Sequence, residues 1–232
     1  MLAVVQARMS SRRLPGKILT DLGGVPVLGM VLDRLGRCDE LAGVVLATSS
    51  ESSDDPVEAF AAERGCELHR GPLDDVLARF LGAVDGREAD AIVRVTADCP
   101  FVEPELIDRL VRIWRRGDFD YVTDVLEPRT FPRGFDAEVV SRGCLELAGA
   151  EATEPADREH VTTFIRERPE RFTQAGLWMR PAMGEERVTL DTPEDLLQLR
   201  GLVERIGHDR SLGEIVAALG GPEEPELRED GP

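Results

Sequence analysis

The chain of 232 residues predicts an α/β fold, a doubly wound and mostly parallel sheet with a small inserted region that forms a lid or a dimer contact. Two observations support this prediction. Short apolar runs alternate with segments of helical apolar spacing over the first half of the chain, and 42% of the residues are hydrophobic, which is enough for a sizeable core. Such alternation implies right-handed crossovers with helices on both faces of the sheet.

Pairs of a strand and a helix are predicted up to residue 114. Each predicted strand is a short apolar run, and a polar loop follows most of them. The predicted helices have apolar residues three or four positions apart, as at 73, 76, 77, 80, 81 and 84. The predicted strands are 2–6, 43–48, 66–69 and 91–96, and the predicted helices are 25–35, 56–64, 73–84 and 104–114.

The alternation becomes weaker after Tyr121. The later sequence predicts extended segments at 131–140, 172–178 and 187–190 and helices at 158–166 and 193–206. We expect a single domain over residues 1–220, with the insertion at about 125–185. Residues 221–232 carry many charges and few apolar side chains, which predicts a disordered acidic tail.

The net charge of −17 argues against several classes of function. A surface this acidic repels polyanions, so we expect no nucleic-acid partner. Apolar runs fall well short of the roughly 18 residues of a membrane span, and we find no secretion signal, which predicts a cytoplasmic protein without a membrane partner. The four cysteines are far apart in sequence, which favours reduced thiols without a disulfide or a structural metal.

Basic residues are concentrated at the N-terminus of this acidic chain. Residues 1–20 contain Arg8, Arg12, Arg13 and Lys17 and no acidic residue. The loop 7–17 matches neither a Walker loop nor a dinucleotide fingerprint, but its serines and cations could hold a triphosphate after the first strand. A solvated basic loop is the alternative that the charges alone leave open.

Two carboxylates follow predicted strands, Asp98 after 91–96 and Asp191 after 187–190. Ligands of parallel sheets bind at the carboxyl ends of the strands, where such a pair could hold Mg²⁺ against phosphate oxygens. Helix capping is the alternative at both positions, since Pro100 precedes one predicted helix and Asp191-Thr192-Pro193 opens another.

These motifs together resemble the bacterial cytidylyltransferases related to the spore-coat polysaccharide protein SpsF, and more distantly the CMP-sialate and CMP-Kdo synthetases. The family signature Q-A-R-M-G-S-T-R-L-P-G-K is matched by residues 6–17, with Ser10 replacing glycine and Arg12 replacing threonine. Ala97 replaces a second family glycine. Further matches in order are Ala47-Thr48-Ser49, Arg70-Gly71, Asp75-Val76-Leu77 with Arg79, Arg94 to Pro100, Asp120-Tyr121, Pro132 to Val139, Arg158 to Thr162 and Asp191 to Asp195.

The resemblance implies a GT-A-like nucleotidyltransferase of Rossmann type. It would attach CMP from CTP to an acidic sugar or a similar small-molecule acceptor, release pyrophosphate, require Mg²⁺ and form a homodimer. The implied catalytic residues are Arg8, Lys17 and Asp98, and the implied metal ligands are Asp98 and Asp191. The implied nucleotide-binding residues are Ala7, Arg8, Ser10, Ser11, Arg13, Lys17, Thr48, Ser49, Arg70 and Thr96, and the implied acceptor-binding residues are Asp136, Glu138, Arg158, Glu159 and His160.

Two other functions stay open. One is a nucleotidyltransferase or glycosyltransferase with a different nucleotide donor, although the loop G-x-G-t-R-l of sugar-1-phosphate enzymes is missing here. The other is a nucleotide-binding homologue without turnover, because Ser10 and Ala97 give up the conformational freedom of glycine. Turn formation by Thr48 and Ser49 and a structural hydrogen bond from His160 are likewise alternatives to ligand binding.

Overall fold

A computed structural model describes residues 1–229 and 231 of the chain. Its main sheet, within those residues, has seven strands in the order β3-β2-β1-β4-β6-β5-β7, and only β6 runs antiparallel to its neighbours. The strands are β1 (Leu2–Gln6), β2 (Gly43–Ser49), β3 (Glu67–Gly71), β4 (Ala91–Thr96), β5 (Tyr121–Thr123), β6 (Glu138–Ser141) and β7 (Gln174–Gly176). The predicted α/β class and the mostly parallel sheet are confirmed.

Helices cover both faces of the sheet. They are α1 (Val27–Leu35), α2 (Asp55–Arg64), α3 (Val76–Val84), α4 (Pro104–Arg116), α5 (Arg142–Glu151), α6 (Pro155–His160), α7 (Thr163–Arg166), α8 (Pro193–Ile206) and α9 (Leu212–Ala218), with 3-10 turns at Lys17–Leu19 and Ser52–Asp54. None of the helices in the described residues combines the length and apolarity of a membrane-spanning segment.

The buried side chains form two clusters, one on each face. In β1 the side chains of Ala3 and Val5 belong to the cluster with α1 and α4, whereas Val4 belongs to the cluster with α3 and α5. This alternation follows from the period of two residues in a strand, which sends successive side chains to opposite faces. Both faces of β1 are therefore buried, and the ligand-binding position left to this strand is its carboxyl end.

The structure changes several predicted elements in the second half. The predicted helix 158–166 is two helices, α6 and α7, separated at Val161. The predicted strand 172–178 is divided between β7 and the short strand β8 (Trp178–Arg180), and 187–190 contains only an isolated bridge between Arg187 and Arg133. The predicted insertion supplies β6 and β7 to the main sheet, so most of it completes the fold and only α6 reaches the cavity described below.

The prediction of a disordered tail is wrong for residues 226–228. They form β9 (Glu226–Arg228), which pairs antiparallel with β8. Basic side chains of α4 hold this segment, since Arg109 donates to the carbonyl of Leu227 at 3.2 Å and Arg116 pairs with Glu229 at 2.6 Å. Charge complementarity with α4 thus orders a segment that composition alone marks as disordered. The last part of the predicted tail, Asp230 and Pro232, lies outside the described residues.

Candidate active site

A cavity of about 810 Å³ opens at the carboxyl ends of β1 and β4. The two strands are neighbours and Gln6 is in register with Thr96, so the loop after β1 and Asp98 after β4 lie side by side. The main-chain N–H of Leu190 donates to the carbonyl of Asp98 at 2.9 Å, which brings Asp191 to the same edge. Three segments distant in sequence therefore meet at this cavity.

The loop after β1 has a defined shape because its main chain is tied to buried groups. The N–H of Met9 donates to Oδ1 of Asp54 at 2.7 Å, and Asp54 itself is fully buried below the end of β2. The N–H of Gly16 donates to the carbonyl of Met9 at 2.9 Å, and Gly16 has a φ of 73°, where a side chain would be strained. This turn delivers Lys17 into the cavity.

Lys17 is the only lysine in the sequence. Its Nζ lies 2.5 Å from Oδ2 of Asp98 and 2.8 Å from Oδ1 of Asp191, and its side chain is 11% exposed. Burial acts to lower the pKa of Lys17, but the two carboxylates outweigh burial and raise this pKa above its ordinary value. The ammonium therefore stays charged at neutral pH and joins the two acids.

Asp191 is surrounded by cations. Arg13 lies 3.0 Å from its Oδ1, and Arg187 pairs with its Oδ2. Burial acts to raise the pKa of Asp191, but the hydrogen bond and charge of Lys17, together with Arg13 and Arg187, bring it below its ordinary value. Asp191 is therefore a carboxylate at neutral pH and can serve as a cation ligand.

Helix capping does not occupy either carboxylate. At the start of α8, Thr192 and Asp195 form a capping box, in which Oδ2 of Asp195 accepts the N–H groups of Asp191 and Thr192, each at 2.8 Å. The N-cap of α4 is Glu103, so Asp98 does not cap that helix. Other residues therefore cap both helices, and neither Asp98 nor Asp191 is used as an N-cap.

The acidic pair fits a divalent cation. Oxygens of Asp98 and Asp191 converge on one positively charged nitrogen in the structure. The described residues contain no group of three or more His, Cys, Asp or Glu that could hold a metal alone. Magnesium commonly takes one or two carboxylates and completes its coordination with water and substrate phosphates, so two acids are an adequate protein contribution.

The remaining cations of the loop differ in their partners. Arg8 lies 3.7 Å from Glu159 across the cavity, where both side chains are accessible. Arg12 lines the cavity without an ion-pair partner among the described residues. Its charge is therefore available to an anion, in contrast to the charges of Arg8, Arg13 and Lys17, which already face carboxylates.

The structure brings part of the predicted nucleotide set together. The predicted residues that line the cavity are Arg8, Ser10, Ser11, Arg13, Lys17, Thr96, Asp98, Glu159 and Asp191. Ala7 is buried beneath the loop, where its N–H donates to the carbonyl of Ala47 at 3.1 Å. Ser10 and Ala97 do not have positive φ, so a non-glycine residue fits both positions.

Other predicted nucleotide contacts do not line this cavity. Thr48 and Ser49 are fully buried, and the hydroxyl of Ser49 donates to Asp54. Arg70 pairs with Asp55 at 2.8 Å and with Glu58 at 2.5 Å. Ser49 and Arg70 thus hold the chain at the ends of β2 and β3, and the hydroxyl of Ser49 also accepts the N–H of Glu51, as the alternative of turn formation describes. The buried hydroxyl of Thr48 has no hydrogen-bond partner among the described residues.

Most predicted acceptor residues are paired within the protein. Asp136 accepts two hydrogen bonds from Arg129, at 2.7 and 3.0 Å, and Arg158 is bound to Asp75. Glu138 is 3% exposed and accepts hydrogen bonds from three side chains, those of Arg94, Tyr121 and Thr162. His160 is exposed outside the cavity, and Glu159 alone of the five lines it.

The structure also places residues in the cavity that the sequence did not identify as site residues. Leu73 and Asp74 line it because α3 begins at Val76, where Asp75 caps the helix by accepting the N–H of Ala78 at 2.9 Å. Arg79, fully buried in α3, donates to the carbonyls of Pro72 and Leu73 at 3.0 Å each. The sequence feature that could have indicated this loop is the pair Asp74-Asp75 before Val76. Aspartate is favoured at the N-cap of a helix over its interior, so α3 is expected to begin after this pair.

Asp124, close to the predicted acceptor residue Asp136, is 1% exposed. Its Oδ1 accepts the N–H of Ala137 at 3.0 Å, and its Oδ2 has no partner among the described residues. Burial and the charge of Asp136 raise the pKa of Asp124 well above its ordinary value. The folded protein therefore keeps this proton at pH values where the unfolded chain has lost it.

We expect Asp124→Asn to remove a pH dependence of stability. A carboxyl group whose pKa is raised by folding stabilises the folded protein. This stabilisation is complete below the pKa of the unfolded chain, about 3.9, and is lost as the pH rises towards the pKa of the folded protein. Asn resembles the protonated acid, so the variant should match wild type near pH 4 and exceed its Tm by about 2–4 °C at pH 8. Thermal unfolding from pH 4 to 9 measures this, with the exposed Asp209→Asn as control. A Tm difference that is constant with pH would contradict it.

Comparison with known proteins gives first the class of protein. A solved CMP:2-keto-3-deoxy-manno-octonic acid synthetase complexed with CTP has the same fold, with a TM-score of 0.65 at 20% identity over 88% of this chain and 98% of that one. The family model described as cytidylyltransferase matches residues 2–207, and the chain belongs to that family.

Two more similar proteins cover nearly the whole chain. The spore coat polysaccharide biosynthesis protein SpsF of Bacillus subtilis (strain 168) is 33% identical over 230 residues, which are 94% of this chain and 93% of that protein. The structure of a cytidylyltransferase from Leptospira borgpetersenii serovar Hardjo-bovis (strain JB197) has a TM-score of 0.89 at 30% identity, with 94% of this chain and 93% of that one covered. The predicted family and the enzyme class, a cytidylyltransferase, are confirmed.

Proposed function

We propose that this cytidylyltransferase transfers CMP from CTP to an acidic sugar or a similar small-molecule acceptor, with Mg²⁺ and with release of pyrophosphate. The observation that carries the proposal is the convergence of Asp98 and Asp191 on Lys17 beside the arginines of the loop after β1. In a chain with a net charge of −17, this is where cations and carboxylates together can accept a metal–triphosphate.

The reaction is an in-line displacement at the α-phosphorus of CTP. An acceptor oxygen forms the new bond to phosphorus and loses its proton to solvent, and the bond to the bridging oxygen breaks with its electron pair leaving on pyrophosphate. Magnesium held by Asp98 and Asp191 would neutralise charge on the phosphates. Arg8, Arg13 and Lys17 would bind the departing phosphates, where donors already in place stabilise the developing negative charge.

The ion pairs imply an exchange of partners when nucleotide binds. In the structure Lys17 is paired with both carboxylates and is not free for a phosphate. Asp98 and Asp191 would hold the divalent cation that accompanies CTP, and the Lys17 ammonium would then be free to bind phosphate oxygens. Lys17 thus has one role in the free protein and another in the complex.

The nucleoside has space next to the phosphate site. A second cavity of about 540 Å³ shares Leu73, Asp74 and Pro155 with the first and lies beyond the end of β2 at Ser50 and Glu51. Its acidic side chains disfavour an anion but suit an uncharged base, and the amino group of cytosine is a donor that a carboxylate or a carbonyl accepts. We therefore propose that base and ribose bind here, beside the predicted contacts Thr48 and Ser49.

Pyrophosphate release tests the proposed function. Purified protein is incubated with CTP, Mg²⁺ and a panel of acidic sugars and phosphate- or phosphonate-bearing acceptors, with GTP and UTP in parallel. The proposal expects release that requires both CTP and an acceptor and stops with EDTA. Preference for another nucleotide would favour the alternative donor, and CTP binding without release across the panel would favour a homologue without turnover.

We expect Arg12→Thr to weaken CTP binding roughly fivefold, because about 1 kcal/mol is lost with one accessible charge-assisted hydrogen bond. The effect should shrink as the salt concentration rises, since exposed charges are screened. Isothermal titration at two ionic strengths measures it, with Arg205→Thr, whose side chain lies on α8 against the Ala218 carbonyl, as control. CTP affinity equal to that of wild type would remove Arg12 from the nucleotide site.

A further inference from the structure

Val161, between α6 and α7, has a backbone conformation that a valine rarely adopts. Its φ is 62° and its ψ is −60°, and it is the only non-glycine residue with positive φ among the described residues. The N–H of Thr162 donates to the carbonyl of His160 at 2.6 Å, which closes a three-residue γ-turn around Val161. This form of γ-turn is strained, and more so for a β-branched residue.

The surroundings hold Val161 in this conformation. Its side chain is fully buried in the cluster that covers the face of the sheet with α3 and α5. The hydroxyl of Thr162 lies 2.5 Å from Oε2 of Glu138, the buried acid of β6. Glu138 is held in turn by hydrogen bonds from Tyr121 and Arg94. Arg94 also donates to the side chain of Gln6 at 3.4 Å, and Gln6 lines the cavity.

The strained turn fixes one end of α6, the short helix that forms one side of the cavity. Pro155 and Glu159 of α6 line the cavity, and Glu159 lies opposite Arg8 at 3.7 Å. The body of α6 is tied down by Arg158, which contacts Asp75 at 2.5 Å and donates to the carbonyl of Gly149 at 2.9 Å. The turn ends α6 at His160, directly after Glu159, and separates it from α7, which begins at Thr163.

Backbone strain in folded proteins persists where the surrounding structure determines it, and it is concentrated at functional sites. We propose that Val161 and Thr162 are positioning residues: the γ-turn, held by Glu138, sets α6 so that Glu159 faces the cavity and contributes to the acceptor subsite on the α6 side of it. The kinetic part of this inference rests on the proposed function, whereas its geometric part does not.

The test uses Thr162→Val, which removes the hydroxyl but keeps the shape, and Thr162→Ser, which restores the hydroxyl. Thr173→Val is the matched control, because Thr173 also uses its hydroxyl to hold the chain, at Asp118 and Asp120, ahead of the amino end of β7. Hydrogen–deuterium exchange follows the amides of residues 156–160, and steady-state kinetics give KM for acceptor and for CTP.

We expect Thr162→Val to speed exchange in residues 156–160 about tenfold and to raise the acceptor KM about tenfold, with KM for CTP unchanged. Thr162→Ser and Thr173→Val should behave as wild type. In a Glu159→Gln background, Thr162→Val should have less than a twofold further effect, because the residue it positions is already altered.

Unchanged exchange in α6 would overturn the inference even for an inactive protein. Faster exchange with an unchanged acceptor KM, or with effects that add to those of Glu159→Gln, would reduce the turn to a packing feature and overturn the positioning role. Absence of pyrophosphate release from wild type would instead reject the proposed function, and the exchange measurement would still decide whether the γ-turn fixes α6.

Discussion

Lys17→Met is expected to lower kcat by about 10²-fold or more, the loss typical when one preorganised charge donor is removed from a reaction centre. The variant also leaves Asp98 and Asp191 facing each other without the ammonium that now joins them. Two carboxylates without their internal cation attract an external one, so we expect tighter Mn²⁺ binding in the absence of nucleotide. Stopped assays of pyrophosphate and Mn²⁺ titration by electron paramagnetic resonance measure the two effects.

The opposite changes in turnover and metal affinity distinguish a specific effect from loss of the fold. Lys17→Arg, which keeps the charge but alters its geometry, should bind Mn²⁺ as weakly as wild type and recover only part of the turnover. Arg205→Met serves as a surface control. Wild-type kcat in Lys17→Met would remove this residue from catalysis, and unchanged Mn²⁺ affinity would mean that its ammonium does not compete with the metal.

Asp98→Asn is expected to lower kcat by about 10²- to 10³-fold and to raise the Mg²⁺ concentration needed for half-maximal activity. An amide oxygen lacks the full negative charge that a hard cation such as Mg²⁺ prefers in its ligands. Lys17 and Asp191 should remain paired in the variant, because their 2.8 Å contact does not involve Asp98. Activity measured over a series of Mg²⁺ concentrations at saturating CTP gives both kcat and the Mg²⁺ concentration for half-maximal activity.

The matched control for this acid is Asp209→Asn, whose carboxyl is exposed and pairs with Arg37 on the surface. It should leave kcat and the Mg²⁺ requirement unchanged. If Asp98→Asn retains wild-type turnover at every Mg²⁺ concentration, Asp98 is not a metal ligand. If turnover falls but the Mg²⁺ concentration needed for half-maximal activity is unchanged, Asp98 acts on the phosphates or the acceptor and does not bind the metal.

The first half of the fold could be predicted from the sequence because each apolar run there is long enough to specify one element. Predicted and observed bounds of β1 and β4 are identical. The start of α3 was placed three residues early, since periodicity does not detect the cap at Asp75. The break at Val161 depends on Glu138, distant in sequence, and no local pattern encodes such a contact.

The site was predictable where chemistry follows directly from strand ends. The loop after β1 and Asp98 come together because β1 and β4 are neighbouring strands, and the Leu190 N–H bond to the Asp98 carbonyl brings Asp191 to them. Strand ends do not specify which neighbour a side chain binds, however. Arg70 and Arg158 follow family motifs, but both are held by carboxylates of adjacent helices or caps, and such pairs arise only in the folded chain.

The most direct test of the central claim uses the fact that Lys17 is the only lysine. Protein labelled with ¹⁵N in the lysine side chain gives one side-chain ammonium signal, and its position reports the partners of Lys17. We predict that Mg²⁺ with CTP shifts this signal as the ammonium leaves the two carboxylates for phosphate oxygens. A signal that stays in place while calorimetry shows CTP bound would contradict the account.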